Sequence, residues 1–215
     1  MNCPLCGTEL SQRVDKEYYA CECCSALVKD RDFYLSAEEE KAIYERHNND
    51  VDDPRYQKFT SPITDYVLEH FTENHKGLDF GSGTGPVISK MLNDENYDIL
   101  QYDPFFANHS ELLKKHYDYI VCCEVFEHFH NPCSEIENLR NMLKKNGELL
   151  IMTLLYNDDI DFSKWFYRRD PTHIFIYRKE TFRYVAHKMN FEIKKMDNRF
   201  VSMGKKSDSV ILSEY

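Results

Sequence analysis

A chain of 215 residues with a formal net charge of −10 is long enough for one α/β domain and a small appendage, and its surface repels polyanions wherever no local basic patch intervenes. Its longest apolar run, Leu149 to Tyr156, is too short to span a bilayer, and the N-terminus opens on Cys3 and Cys6 instead of an apolar signal region. Nucleic-acid binding and membrane insertion are therefore disfavoured, a cytoplasmic protein is expected, and the 14% aromatic content suits a packed core and a cleft for an apolar or aromatic ligand.

Five of the eight cysteines fall between Cys3 and Cys24, and in a reducing compartment such clustering points to metal rather than disulfides. Cys3 and Cys6 form one C-x2-C pair; Cys21 and Cys24 form another. Each pair makes a tight turn in which two thiolates grip one edge of a tetrahedral Zn2+. The pattern resembles a zinc ribbon, with Leu10, Val14 and Tyr18-Tyr19-Ala20 supplying a hairpin between the pairs, and with Cys23 as the alternative to Cys24. Four thiolates leave no open coordination position, so the expected ion is structural and supplies folding energy that so small a segment lacks.

Ser36 and Glu39 have capping-box spacing and predict a helix to about His47. Val51-Asp52-Asp53-Pro54 reads as a turn, and Ser61-Pro62 as the start of a second helix with Ile63, Val67, Leu68 and Phe71 as its buried stripe. Tyr56 and Phe59 lie between, in a stretch able to fold over a cleft.

The stretch Gly77-Leu78-Asp79-Phe80-Gly81-Ser82-Gly83-Thr84-Gly85-Pro86 reads as a buried strand, a glycine loop and a helix start. A loop of this kind at the carboxyl end of a strand in an open α/β sheet is where nucleotide-like ligands sit. Its G-x-G-x-G spacing is not that of a dinucleotide fingerprint, and no Lys-Ser/Thr pair follows to make a P-loop. A second strand, from Tyr97, ends at Asp103, where a carboxylate can accept both hydroxyls of a ribose. Pro104, Phe105 and Phe106 follow, the two rings being available to an adenine face. Tyr117 to Cys123 reads as the next strand, ending at Glu124-Val125-Phe126-Glu127-His128.

Ser134 to Glu137 has the spacing of a second capping box, and Gly147 is the natural stop before a strand from Glu148 to Leu155. Phe182, Val185, Ala186 and Met189 mark a last helix stopped by Asn190. Phe191-Glu192-Ile193 and Ser209-Val210-Ile211-Leu212 are expected as a closing hairpin around Lys205-Lys206-Ser207. The alternation of strands and helices predicts a doubly wound, mostly parallel α/β sheet.

In this order, Leu78 to Gly85, Tyr102-Asp103-Pro104, Tyr117 to His128 and Leu143-Lys144-Lys145-Asn146-Gly147-Glu148 resemble the motifs of class I S-adenosylmethionine-dependent methyltransferases, over about residues 60 to 190. The resemblance implies a Rossmann-like fold and methyl transfer from S-adenosylmethionine. It places Gly81, Ser82, Gly83 and Gly85 of the loop, with Asp79, at the methionine part of the cofactor, Asp103 and Pro104 at the ribose, Phe105 at the adenine, and Glu124 beside the methionine moiety or substrate. The stretch from Pro104 to His116 is too short for the family's usual helix, third strand and loop, so the acid that reads the adenine edge is absent or displaced.

His128 and His173 are the candidate bases, with His130 a further one and Glu127 in support. His173 belongs to Asp170-Pro171-Thr172-His173, which resembles a segment that closes over substrate in many small-molecule methyltransferases. Lys164, Arg168 and Arg169 form a basic lip suited to an acidic or phosphorylated small molecule, and Trp165, Phe166 and Tyr167 an aromatic wall. The expected units are a zinc ribbon over residues 1–30, a helical connector over 31–76 and the methyltransferase domain over 77–215. The rival readings are an RNA methyltransferase, and a non-catalytic cofactor-binding module whose ribbon docks a partner protein.

Overall fold

The structure is a computed structural model that describes residues 1–46 and 49–207. Its main sheet has six strands in the order β5-β4-β6-β7-β10-β9. β4 (Lys76–Phe80), β5 (Asp98–Tyr102), β6 (Tyr117–Cys123) and β7 (Leu143–Met152) run parallel, and the hairpin of β9 (Phe191–Met196) and β10 (Phe200–Lys205) closes the far edge antiparallel. Side chains alternate across it as the pleat demands. Tyr119, Val121, Leu150 and Met152 face one layer, with Ile63 and Val67 of α2 (Pro54–His70) and Val87, Ile88 and Leu92 of α3 (Val87–Asp94). Ile120, Cys122, Leu149 and Ile151 face the other, with Ile136 and Leu139 of α4 (Pro132–Met142) and Phe182 and Val185 of α5 (Lys179–Lys188). Strands buried on both faces account for the near-continuous apolar runs in the sequence. Between β5 and β6 the chain makes only a 3-10 segment, Ser110–Lys114, so β5 is an edge and no strand precedes it there. The short spacing after Asp103 predicts this.

The N-terminal residues form a second sheet, in the order β1-β2-β3-β8. β1 (Gln12–Arg13) and β2 (Tyr18–Ala20) make the expected hairpin, and β3 (Leu27–Lys29) pairs with β8 (Phe175–Ile176), which comes from the other end of the chain. Leu5, Leu10, Ala26 and Val28 pack in the same cluster as Phe126, Tyr177 and Phe182, so the module shares its core with the large sheet.

Several local expectations are corrected. The second helix starts at Pro54, with Asp53 as its cap accepting from Arg55 N at 2.8 Å, because Asp-Pro is itself a cap followed by a first-turn proline. Pro62 therefore lies inside α2, where it withholds a helical N–H, and Leu68 is 43% exposed, not part of the stripe. α4 likewise begins at Pro132, with Asn131 at the cap position, and Ser134 Oγ instead donates to the Asn131 carbonyl at 3.1 Å. α4 passes directly into β7 at Leu143, so Gly147 lies within the strand. The closing hairpin turns at residues 197–199 and uses Phe200–Lys205; the expected strand from Ser209 to Leu212 lies outside the described residues. The first capping box is present, on α1 (Ala37–Tyr44), which ends before His47. Among the described residues no helix is long and apolar enough to cross a membrane.

Candidate active site

A cleft of about 770 Å³ opens over the carboxyl ends of β4, β5 and β6. The glycine loop forms its floor. Gly81 (φ +79°) and Gly83 (φ +64°) occupy the left-handed region, and the Gly81 and Ser82 amides donate to the Tyr102 carbonyl at 2.8 and 3.2 Å. A Cβ on Gly85 would stand 1.8 Å from the Asn49 carbonyl oxygen, so here the glycine admits the connector backbone rather than a ligand.

Asp103 is 7% exposed and ties the floor to the β5 end. Its Oδ2 accepts from Gly83 N at 3.0 Å; its Oδ1 accepts from Phe105 N and Phe106 N at 2.8 and 3.0 Å. Asp79 does not line the cleft. It is 3% exposed beneath the loop and accepts from Ser89 Oγ of α3 at 2.8 Å, and burial raises its pKa to about 6 against that hydrogen bond. Of the residues expected at a cofactor, Gly81, Ser82, Gly83, Asp103, Pro104, Phe105 and Glu124 line the cleft, and Asp79 and Gly85 stand behind it.

Glu124, just past β6, has a left-handed backbone (φ +52°) that turns its side chain into the cleft, a strain of the kind found at functional sites. Its Oε1 is buried without a hydrogen-bond partner among the described residues, with Arg199 at 4.0 Å. Glu127 is fully buried; Tyr167 donates to its Oε1, and its Oε2 has no hydrogen-bond partner among the described residues. Burial raises both pKa values, and for Glu124 the charge of Glu127 adds to the effect.

His128 and His173 meet with ring centroids 4.9 Å apart. His128 Nδ1 lies 3.0 Å from the Thr172 carbonyl oxygen, and His173 Nδ1 lies 2.7 Å from that of Tyr167. A carbonyl only accepts, so each Nδ1 carries the proton and each Nε2 offers a lone pair. Burial holds both rings below the ordinary histidine pKa, and for His173 the neighbouring His128 reinforces it. His130 instead faces Glu40 of α1 at 3.0 Å.

The basic lip does not form at the cleft. Arg168 pairs with Asp15 at 2.6 Å and lies over the Tyr18 ring, Lys164 pairs with Asp161, and neither lines the cavity. Carboxylates line it instead: Glu40, Asp103, Glu124, Glu135 and Asp170, with no lysine or arginine among the described lining residues. Trp165 packs against Tyr156 and Phe162, leaving Phe166 and Tyr167 in the wall. Tyr44, from α1, reaches the same cleft; the capping box announces its helix but not where it lands.

Away from the cleft, the four thiols converge. Cys3 Sγ lies 3.6 Å from Cys24 Sγ, Cys6 Sγ lies 3.4 Å from Cys21 Sγ, and all four sulfurs lie within 4.8 Å of one another. Each pair is closed by a backbone turn onto a left-handed residue, Gly7 (φ +78°) or Ser25 (φ +61°), whose amide donates to the first cysteine's carbonyl. Cys23 is exposed and outside the cluster.

Fold and cleft together define an open α/β protein with a cleft at the carboxyl ends of its parallel strands, the place where ligands bind in such folds. A model of the family described as "Methyltransferase domain" matches residues 51–195, and the chain belongs to that family. It is 36% identical over 58 residues to the ubiquinone biosynthesis O-methyltransferase of Glaesserella parasuis serovar 5 (strain SH0165), a match spanning 27% of this chain and a quarter (25%) of that protein. The fold is similar to that of the PH0226 protein of Pyrococcus horikoshii OT3 (TM-score 0.52, 15% identity, 77% of this chain and 99% of that one). It is also similar to magnesium protoporphyrin IX methyltransferase of Synechocystis PCC 6803, solved with bound SAH (TM-score 0.51, 12% identity, 82% of this chain and 98% of that one).

Proposed function

We infer that the protein transfers a methyl group from S-adenosylmethionine to a small molecule. The observation that carries this reading is the carboxylate lining of a cleft built on a glycine loop. A sulfonium is a cation and is favoured there, whereas the pyrophosphate of a dinucleotide would meet acids on every side. Gly81 and Gly83 let the backbone lie against the methionine part, and Phe105 covers the adenine. One hydroxyl of the ribose docks on the lone pair of Asp103 Oδ2 that Gly83 leaves open. Glu124 stands beside the sulfonium, and Asp79 holds the loop through Ser89.

Transfer is an in-line displacement. The acceptor's lone pair forms the new bond to the methyl carbon while the carbon–sulfur bond breaks and its electron pair stays on sulfur, leaving S-adenosylhomocysteine. His128 and His173 act on the acceptor side through their unprotonated Nε2 atoms. The cleft's acidity favours a neutral or cationic acceptor over an acidic one, and it argues equally against RNA.

The four cysteines fit zinc. Bonds of about 2.3 Å in a tetrahedron put sulfurs roughly 3.8 Å apart, close to the spacing of the cluster. Cys3, Cys6, Cys21 and Cys24 would hold the ion as a structural centre of a ribbon comprising about residues 1–30.

Calorimetric titration with S-adenosylmethionine and S-adenosylhomocysteine, with NAD as control, tests the cofactor. Micromolar binding of the first two alone is expected; binding of NAD and neither of the others overturns the reading.

A further inference from the structure

The acceptor side of the cleft holds a second group of metal-type donors, distinct from the cysteines. One ligand atom each from Glu127, His128 and His173 lies within 4.8 Å of the others, and His173 Nε2 stands 4.0 Å from Glu127 Oε1. We propose that Glu127, His128 and His173 bind a divalent first-row cation, of the Mn2+ or Co2+ class, with coordination positions left open to the acceptor.

Three features favour this over a hydrogen-bonded cluster. The first is tautomer. Both histidines aim Nδ1 at a backbone carbonyl, Thr172 for His128 (whose Nδ1 also lies 3.2 Å from the Tyr44 hydroxyl) and Tyr167 for His173, which leaves each Nε2 with a lone pair, and His173 Nε2 faces Glu127. Metal-bound imidazoles are characteristically held in this way. The second is Glu127. It is fully buried, Tyr167 satisfies its Oε1, and its Oε2 has no hydrogen-bond partner among the described residues. A buried carboxylate with one oxygen unpartnered and the other, Oε1, 4.0 Å from His173 Nε2 is costly in a dry site, whereas a cation bound by the carboxylate offsets that cost. The third is spacing. Ligand bonds of about 2.0–2.2 Å place donors roughly 3–4.4 Å apart, so a side-chain shift of a few tenths of an ångström closes the set.

Two imidazoles and one carboxylate select first-row divalent ions over Ca2+, and three ligands rather than four leave the ion open. His128 and His173 line the cleft, so the open positions face the acceptor. Such an ion binds oxygen and acidifies it, which makes the acceptor a hydroxyl. The hydroxyl proton passes to water, the oxygen lone pair takes the methyl carbon, and sulfur keeps the electrons of the broken bond. The imidazoles then act on the acceptor through the cation instead of taking its proton. The use of the ion rests on the methyltransferase reading; its binding does not.

Mn2+ is the probe, because it competes poorly with zinc for thiolates. The full chain, holding one zinc per chain and freed of excess zinc, is titrated with MnCl2, and free Mn2+ is followed by electron paramagnetic resonance, with S-adenosylhomocysteine affinity measured on the same samples. The expected result is one Mn2+ per chain at micromolar concentration. Glu127→Gln keeps the side-chain shape and an acceptor for Tyr167, and is expected to weaken Mn2+ by about 100-fold or more. Tyr167→Phe leaves all three proposed ligands in place but removes the hydroxyl that supports Glu127, together with its contacts to Thr153 Oγ1 and Leu154 N, and should cost about 10–100-fold. His128→Gln serves if Glu127→Gln does not fold, folding being read from retained S-adenosylhomocysteine binding. No Mn2+ binding up to millimolar, or equal binding by wild type and both ligand variants, overturns the site. Mn2+ binding without S-adenosylhomocysteine binding overturns the cofactor reading and leaves the site standing.

Discussion

The Tyr18 hydroxyl donates a 2.6 Å hydrogen bond to the carbonyl oxygen of His173, across 155 positions of sequence. It is one of several ties between the cysteine module and the loop that walls the cleft. Lys29 Nζ donates to the Pro171 carbonyl at 2.8 Å, Lys29 N to that of Ile174 at 2.9 Å, and β3 pairs with β8 immediately beyond His173. The module therefore acts on the cleft by holding the backbone that presents His173. Tyr18→Phe deletes one donor and leaves a buried carbonyl unpaired, which should cost about 1–3 kcal/mol. Amide exchange is expected to quicken in residues 167–174 while S-adenosylhomocysteine affinity stays unchanged, because the glycine loop and Asp103 lie on other elements. Unchanged exchange in that loop would show that the remaining ties hold it without Tyr18.

The same ties predict what metal loss does. With zinc on the four thiolates, chelation removes the module's main source of folding energy. β3 then loses its footing, and β8 with it. Hydrogen exchange after complete zinc removal should show loss of protection over residues 1–30 and also over 167–176, with β4 and β6 still protected. Loss confined to the cysteine module itself would mean that the loop stands without it.

Much of this arrangement was legible in the sequence, and the reasons for the rest are specific. Motifs that are local survive: the glycine loop, Asp103 at the end of β5, the missing strand after it, the first capping box and both cysteine pairs occur as spacing predicts, because each depends on a few consecutive residues. Helix starts went astray at Ser61 and Ser134, where an Asp-Pro or Asn-Pro pair a few residues earlier nucleates first. Long-range partners left no local signal. Nothing near Arg168 in the chain announces that Asp15 will neutralise it, so Lys164, Arg168 and Arg169 read as a substrate lip. Motif resemblance puts Glu124 at the cleft, where it lies, but the alternation of β6 does not disclose that Glu127 is sealed against Tyr167.

Asp103 is the test of how the ribose docks. Its carboxylate already accepts three backbone amides, so a bound ribose takes one remaining lone pair rather than replacing the whole set. Asp103→Ala removes that charged acceptor and the anchor of Gly83 together. About 1.5–3 kcal/mol, or roughly 10–150-fold in S-adenosylmethionine affinity, is expected. Calorimetry measures it, and an unchanged dissociation constant would remove Asp103 from the cofactor site.

Asp79 gives the loop a pH signature. Burial is the dominant cause of its raised pKa, the charge of Asp103 adds to it, and the hydrogen bond from Ser89 opposes both. The folded state holds its proton up to about pH 6, whereas the unfolded chain releases it near the ordinary value of about 3.9. Between those values the folded state binds more protons, so stability falls as pH rises through the window and levels off above it. A carboxyl held at about 6 corresponds to roughly 3 kcal/mol of lost stability at neutral pH. Asp79→Asn keeps an acceptor for Ser89 and carries no charge. Its melting temperature relative to wild type should therefore climb between about pH 4 and pH 7 and stay level beyond. A constant difference across that range would mean that Asp79 is ionised throughout, with the loop or its surroundings supplying the missing solvation.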